Sequence, residues 1–204
     1  VSAYAISAAA SSMLTAGFAD RFDRKKLLLF FYIGFTMGTL FCALAPNYPL
    51  LLTARIVTGI FGGVIGSISF AIMTDIFPLE QRGRVMGFMQ TAFAASQVLG
   101  LPIGLYLSNL WGWHAPFLRI VAISVIAGIF IWRYLQPITG HLTLQVDKKA
   151  YLHLWHTLTD SQYTLPFLAT ALLSIGGFMI MPFASAFTVN NLGIAMEKLP
   201  MIYM

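Results

Sequence analysis

Of the chain's 204 residues, 58% are hydrophobic and only 9% charged, against about 25% charged in a typical water-soluble domain, which excludes a soluble globular fold and makes a bilayer the fitting solvent. The formal net charge of +5 does not point to nucleic acid, because the basic residues sit in short turns rather than along one face. Cys42 is the single cysteine, so no internal disulfide can form.

Apolar runs follow one another at roughly 1–19, 27–45, 50–77, 85–110, 116–135 and 164–189, and a further one opens near Leu199. A helix rising 1.5 Å per residue crosses the hydrocarbon with about 20 apolar residues, so each run suffices. Barrel strands would be about 10 residues of alternating polarity, and stretches such as Leu27-Leu28-Leu29-Phe30-Phe31-Tyr32-Ile33 do not alternate. The expected fold class is all-α: a polytopic transmembrane helical bundle with the lipid bilayer as its partner.

The first run contains Ser7-Ala8-Ala9-Ala10-Ser11, small residues that could pass for a signal-peptide cleavage region. No basic residue precedes the apolar stretch, as a signal peptide requires, so it reads as a span. The chain reads as an internal piece of a longer protein, without an initiator Met and with an apolar run still open at Tyr203-Met204. Between the first two runs lies Gly17-Phe18-Ala19-Asp20-Arg21-Phe22-Asp23-Arg24-Lys25-Lys26, a turn holding four of the twelve basic residues. Asp23 is placed to cap the following helix.

The third run carries Arg55 about five residues inside its outer end, where a mid-membrane arginine would cost at least ~2.5 kcal/mol. Thr58, Gly62, Gly66 and Ser69 follow at helical spacing, giving one polar, small-residue face suited to a wet cavity or a close helix contact. Arg55 could instead snorkel to the outer headgroups. After the 78–84 turn, the fourth run places Gln90, Gln97 and Gly104 on one face at seven-residue spacing, for binding a substrate or bridging helices. Pro102 between Gly100 and Gly104 removes a backbone hydrogen bond and marks a candidate hinge. Gly34/Gly38, Gly59/Gly63 and Gly83/Gly87, each four apart, are expected to pack helices. Gly176-Gly177 and Pro182 soften the 164–189 run.

The connection at 137–162 is longer than the others. Leu152, Leu154 and Trp155 suggest a short amphipathic helix on the membrane surface. His141, His153 and His156 lack the tight spacing of metal ligands, and interfacial histidines are the expected reading. If the 20–26 turn is cytoplasmic, alternation places Arg21, Arg24, Lys25, Lys26, Arg82, Arg84, Arg133, Lys148 and Lys149 inside, and leaves Arg55, Arg119 and Lys198 towards the other side. That bias orients the chain with its basic turns cytoplasmic. Tyr106, Trp111 and Trp113 at an outer turn, and Tyr151 and Trp155 at an inner one, fit interfacial aromatics.

No Ser/His/Asp grouping, metal-ligand spacing or phosphate-cradling Gly-Lys loop occurs, so an enzyme and an ATP-driven pump are not expected, nor a cofactor or a metal. No carboxylate lies mid-run, so a proton or sodium site is expected to use groups outside this stretch.

Four motifs in register resemble the major facilitator superfamily of secondary transporters, in particular its drug and sugar efflux permeases, over essentially the whole chain. The family's Gly-x-Leu-Ala-Asp-Arg-x-Gly-Arg-Lys turn is matched by Ala16-Gly17-Phe18-Ala19-Asp20-Arg21-Phe22-Asp23-Arg24-Lys25, with Ala16 and Asp23 at the two glycine positions. Arg55-Ile56-Val57-Thr58-Gly59 resembles its fourth-helix Arg-x-x-x-Gly signature. Asp75-Ile76-Phe77-Pro78-Leu79-Glu80-Gln81-Arg82-Gly83-Arg84 is similar to its fourth-to-fifth-helix loop. Gly100-Leu101-Pro102-Ile103-Gly104 is similar to its antiporter motif, with one residue added between Gly and Pro.

The resemblance implies a partial general-transporter fold, about six to seven of twelve helices, from the second to the start of the eighth. It divides the chain into an N-terminal bundle (1–136), a cytoplasmic inter-bundle linker (137–162) and the start of a C-terminal bundle (163–204). It implies a conformational latch of Asp20, Arg21, Arg24, Lys25, Asp75, Glu80, Arg82 and Arg84, with Arg24 pairing Asp75 and Asp20 facing a helix N-terminus of the second bundle. The alternative for the basic turn is topology alone. Arg55, Thr58, Gln90 and Gln97 are the implied coupling and cavity residues, and Gly100, Pro102 and Gly104 the hinge. The implied function is alternating-access movement of a small organic solute across a cell membrane, with protons as a candidate coupling ion. A non-transporting receptor or assembly protein, or an inactive remnant, is the alternative.

Overall fold

The computed structural model describes residues 2–15, 19–140, 156–157, 159–194 and 198–199. Among them the chain forms α1 (Ser2–Thr15), a 3-10 turn (Ala19–Arg21), α2 (Arg24–Leu44), α3 (Tyr48–Ile76), α4 (Leu79–Trp111), α5 (Ala115–Tyr134) and α6 (Ser161–Leu192). Four of these helices, α2 to α5, are long and apolar enough to cross a membrane. The amphipathic helix expected at Leu152–Trp155, the residues Ala16–Phe18, His141, Lys148, Lys149 and Tyr151 lie outside the described residues.

Helix boundaries follow local chemistry. Asp23 caps α2, its side chain accepting from Lys25 N–H at 2.9 Å, and Asn47 caps α3 by accepting from Leu50 N–H at 3.1 Å. Asp160 caps α6 by accepting from Gln162 N–H at 3.0 Å. Such caps satisfy amide donors that a helix start leaves open. Gly112 ends α4 at φ 81° and Gly193 ends α6 at φ 64°, backbone conformations that favour a residue without Cβ. The expected 78–84 turn is shorter than the sequence suggested: α4 begins at Leu79 behind Pro78. Glu80 therefore sits in the first helical turn, where the dipole favours an anion, and Arg82 and Arg84 are helical.

α3 is the central element, with α1 and α2 packed along it and α2 also against α5. Side-chain-free crossings allow this. A Cβ on Gly63 would strike the backbone of Ala8, with its Cα 2.6 Å away, and one on Gly59 would strike Ser7 Oγ and Tyr4 O. The α1–α3 contact is tied further by Ser11 Oγ donating to Ile60 O at 2.6 Å. A Cβ on Gly38 would sit 2.7 Å from Thr58 Oγ1, and one on Gly34 would overlap the Phe61 ring. Close backbone approach through small residues is the normal route to helix association in lipid. Gly83 and Gly87, expected to do the same, face open space, since α4 meets its neighbours sparsely and buries only Pro102.

Towards the basic-turn end, Leu27, Leu28 and Phe31 of α2 interlock with Val64, Ile68 and Ile72 of α3, and Ile131, Leu135 and Ile138 close over them. Phe30, Phe31 and Phe61 meet edge-on or tilted at 5.3 to 6.0 Å, within the range of favourable aromatic pairs. This cluster holds the α2 start against the α3 end and so fixes the charged residues beside it.

Candidate functional site

Arg24, the first residue of α2, is buried at 6% exposure. Its Nη2 lies 2.7 Å from Asp20 Oδ1 in the 3-10 turn and its Nε 3.1 Å from Asp75 Oδ2 near the end of α3. One planar guanidinium thus bridges two carboxylates from different elements, a geometry suited to its rigid fork of donors. Its side chain is 8% exposed, the Asp75 side chain 23% and the Asp20 side chain 59%. The Arg24–Asp75 contact is therefore the desolvated member, and the Asp20 contact is solvent-screened despite being shorter. Asp75 also walls a cleft of about 540 Å³ shared with Thr74, Arg82 and residues 137–140.

Other members of the motif take roles that spacing did not reveal. Arg82 donates from Nη2 to Thr74 O at 2.8 Å and from Nε to Phe77 O at 3.1 Å, closing the C-terminal carbonyls of α3 as a cation there should. Lys25 Nζ donates to Trp132 O at 2.9 Å, serving the last turn of α5 in the same way. Asp23 Oδ1 accepts from Ile138 N–H at 3.1 Å, and Arg24 N–H donates to Ile138 O at 3.3 Å. The turn is therefore bound to the chain leaving α5. Among the described residues Arg21, Glu80 and Arg84 form no ion pair.

The expected cavity stripe does not stay together. Thr58 is buried, donates to Ala54 O at 2.7 Å and contacts Cys42 Sγ at 3.6 Å, so it packs α3 on α2 instead of lining a wet space. Its hydroxyl is spent on its own helix, which is why burial there is tolerable. Gly62 packs too, a Cβ there lying 2.7 Å from Tyr4 Oη, while Gly66 faces open space. Arg55 is half-buried, and its Cζ stands 4.7 Å from the Phe117 ring centroid on α5, within cation–π range. Among the described residues no carboxylate lies within ion-pair distance of Arg55. The signal for Phe117 was its place just after the interfacial aromatics, where Trp111 likewise receives Arg119 at 5.2 Å.

Gln90 is exposed and Gln97 half-buried, and the structure gathers neither with the arginine sites. Pro102 sits inside a continuous α4 between Gly100 and Gly104, both with open space at the Cβ position. Among the described residues no three His, Cys, Asp or Glu side chains converge.

Comparison with known proteins places these features in a wider set. The family model of the Major Facilitator Superfamily matches residues 1–204. The chain is 31% identical over 144 residues to multidrug resistance protein 3 of Bacillus subtilis, covering 71% of this chain and 28% of that protein. It is 36% identical over 130 residues to the vacuolar membrane amino acid uptake transporter fnx2 of Schizosaccharomyces pombe, covering 64% and 22%. To the uncharacterized MFS-type transporter YtbD of B. subtilis it is 29% identical over 189 residues, covering 91% and 46%. The chain thus spans less than half the length of these relatives.

Proposed function

The chain belongs to the major facilitator superfamily, and from that premise we propose that it is helices two to six of the N-terminal bundle, the inter-bundle linker and the start of the C-terminal bundle, helix seven and the beginning of eight, of a secondary transporter. The proposed cargo is a small organic solute, exported by alternating access between two rocking bundles. The relative named for multidrug resistance supports that class of cargo, and the one named for amino acid uptake supports metabolites within it. Division at 137–162 into two bundles, and cytoplasmic placement of the basic turns, are parts of the same proposal.

The observation that carries the reading is the buried Arg24 between Asp20 and Asp75. A buried charge is costly to keep for topology alone, since surface lysines would orient the chain without desolvation. Its use is as a switchable contact: Arg24 is held by Asp75, while the largely exposed Asp20 can exchange its solvent-screened contact to Arg24 for a second element when the bundles close on this side. Arg82, Lys25 and Asp23 keep the surrounding helix ends rigid, so that motion at the turn moves α2, α3 and the chain after α5 together. Arg21, Glu80 and Arg84, exposed at the same end, are proposed to meet the second bundle. Arg55, half-buried against Phe117 towards the opposite end, is the proposed coupling residue, with protons as the coupling ion and Gln90 and Gln97 as cavity candidates. Gly100, Pro102 and Gly104 form the proposed hinge.

The test is transport by the full-length protein in inside-out vesicles under an imposed proton gradient, offered lipophilic cationic dyes and, separately, amino acids. Gradient-dependent accumulation of one class, lost in Asp20→Asn with insertion intact, supports the reading. No gradient-dependent flux of either class, or undiminished flux in Asp20→Asn, rejects it.

A further inference from the structure

Between α2 and α5 runs an apolar groove of about 390 Å³, with Leu29, Ile33 and Met37 on one wall and Val125, Ile129 and Trp132 on the other. It lies within two helices of membrane-spanning length, where an unfilled cleft forfeits dispersion contacts along both walls. Gly128 is part of the lining, and a Cβ there would stand only 3.3 Å from the Tyr32 ring, so α2 and α5 approach closely at that point.

The groove has a charged end. On α2, Lys25, Leu29, Ile33 and Met37 are four apart and share one face, with Lys26 beside it. Lys25 is fixed at the groove mouth by its bond to Trp132 O, and an ammonium with three donors keeps two for another acceptor. Lys26 is exposed, and Trp132, 66% exposed, marks the interfacial depth. From Lys25 to Met37 the helix rises about 18 Å, comparable to the roughly 15 Å of one hydrocarbon leaflet.

An apolar slot of leaflet depth with one ammonium group at its mouth and a second, exposed one on the next residue of the same helix is complementary to one molecule class. We propose that this groove is a binding site for an anionic phospholipid, its phosphate on Lys25 and Lys26 and an acyl chain along Leu29, Ile33, Val125 and Ile129. Such a lipid would rivet the start of α2, and with it Arg24, to the end of α5.

Native mass spectrometry of the full-length protein, with phosphatidylglycerol or phosphatidylcholine added to the micelles, tests this independently of transport. Phosphatidylglycerol is expected to be retained in preference to phosphatidylcholine. Lys26→Gln should weaken that retention about fivefold, the worth of one lysine near anionic lipid. Ile129→Trp, which fills the slot from an exposed position, should abolish the variant-sensitive retention, whereas Ile123→Trp, exposed and outside the groove, should leave it intact. Equal retention of the two lipids, or unchanged retention in Ile129→Trp, or equal loss in Ile123→Trp, overturns the assignment.

Discussion

Asp75→Asn and Asp20→Asn make a sharp pair, because bond length and burial rank them oppositely. The Asp20 contact to Arg24 is the shorter, at 2.7 Å against 3.1 Å. The Asp20 side chain, however, is 59% exposed, while that of Asp75 is 23% exposed and that of Arg24 8%. An exposed ion pair contributes about 0–1 kcal/mol, so Asp20→Asn should cost about 0.5 kcal/mol of stability. Stripping the charge from Asp75, whose side chain faces the buried Arg24, is different. Orphaning a buried charge outright costs about 3–5 kcal/mol, and losing one neutral hydrogen bond about 1 kcal/mol. Asparagine keeps an acceptor and Asp20 keeps a screened charge nearby, so Asp75→Asn should fall between, at about 2–3 kcal/mol. The assay is equilibrium unfolding of the full-length protein in mixed micelles, completed by Arg24→Gln and the double variant Arg24→Gln/Asp75→Asn. A coupling energy below about 0.5 kcal/mol, the usual limit of additivity, or an Asp20→Asn cost equal to that of Asp75→Asn, refutes the burial reasoning.

Gly63→Val should drive α1 off α3 through Ala8, costing roughly 1–3 kcal/mol as overpacking does, read as a lower unfolding midpoint; an unchanged midpoint would show the crossing is not close-packed. Arg82→Met should lose the cap on Thr74 O and Phe77 O, about 1 kcal/mol, seen as faster amide exchange in the last turn of α3 only. Asp23→Ala removes both the α2 cap and the Ile138 tether, and should cost about 1 kcal/mol for the cap with loss of exchange protection at Ile138. Arg55→Ala should abolish proton-coupled flux, and Arg55→Lys retaining full flux would reduce this residue to an interfacial anchor.

The membrane-spanning helices α2 to α5 were legible because an unbroken apolar run of that length has few alternatives in a chain this poor in charge. Their boundaries shifted by a few residues, most at Pro78, directly behind which α4 starts within what read as a turn. The Arg24–Asp75 contact was foreseen only through the resemblance, since these residues are 51 positions apart and nothing local joins them. The ties of Lys25 to Trp132 and Asp23 to Ile138 were not foreseen, and helical periodicity carries no trace of a partner more than 100 residues away. Arg82 left a fainter signal, a cation shortly beyond a helix end, that could have been read as a cap.

Solvent and fold class came from composition and run length, because the bilayer leaves the backbone no alternative to satisfying its own hydrogen bonds, whereas only four of the six apolar runs became helices long and apolar enough to cross among the described residues. Which face of each helix meets which neighbour is a different kind of information. Thr58 and Arg55 share a sequence stripe, yet one is buried against α2 and the other lies over Phe117 of α5. Gly59/Gly63 and Gly83/Gly87 have the same spacing, yet only the first pair touches another helix. Spacing places residues on a face; only the packing of α3 between α1 and α2, set by where backbones can approach, decides whether that face meets a helix, lipid or water.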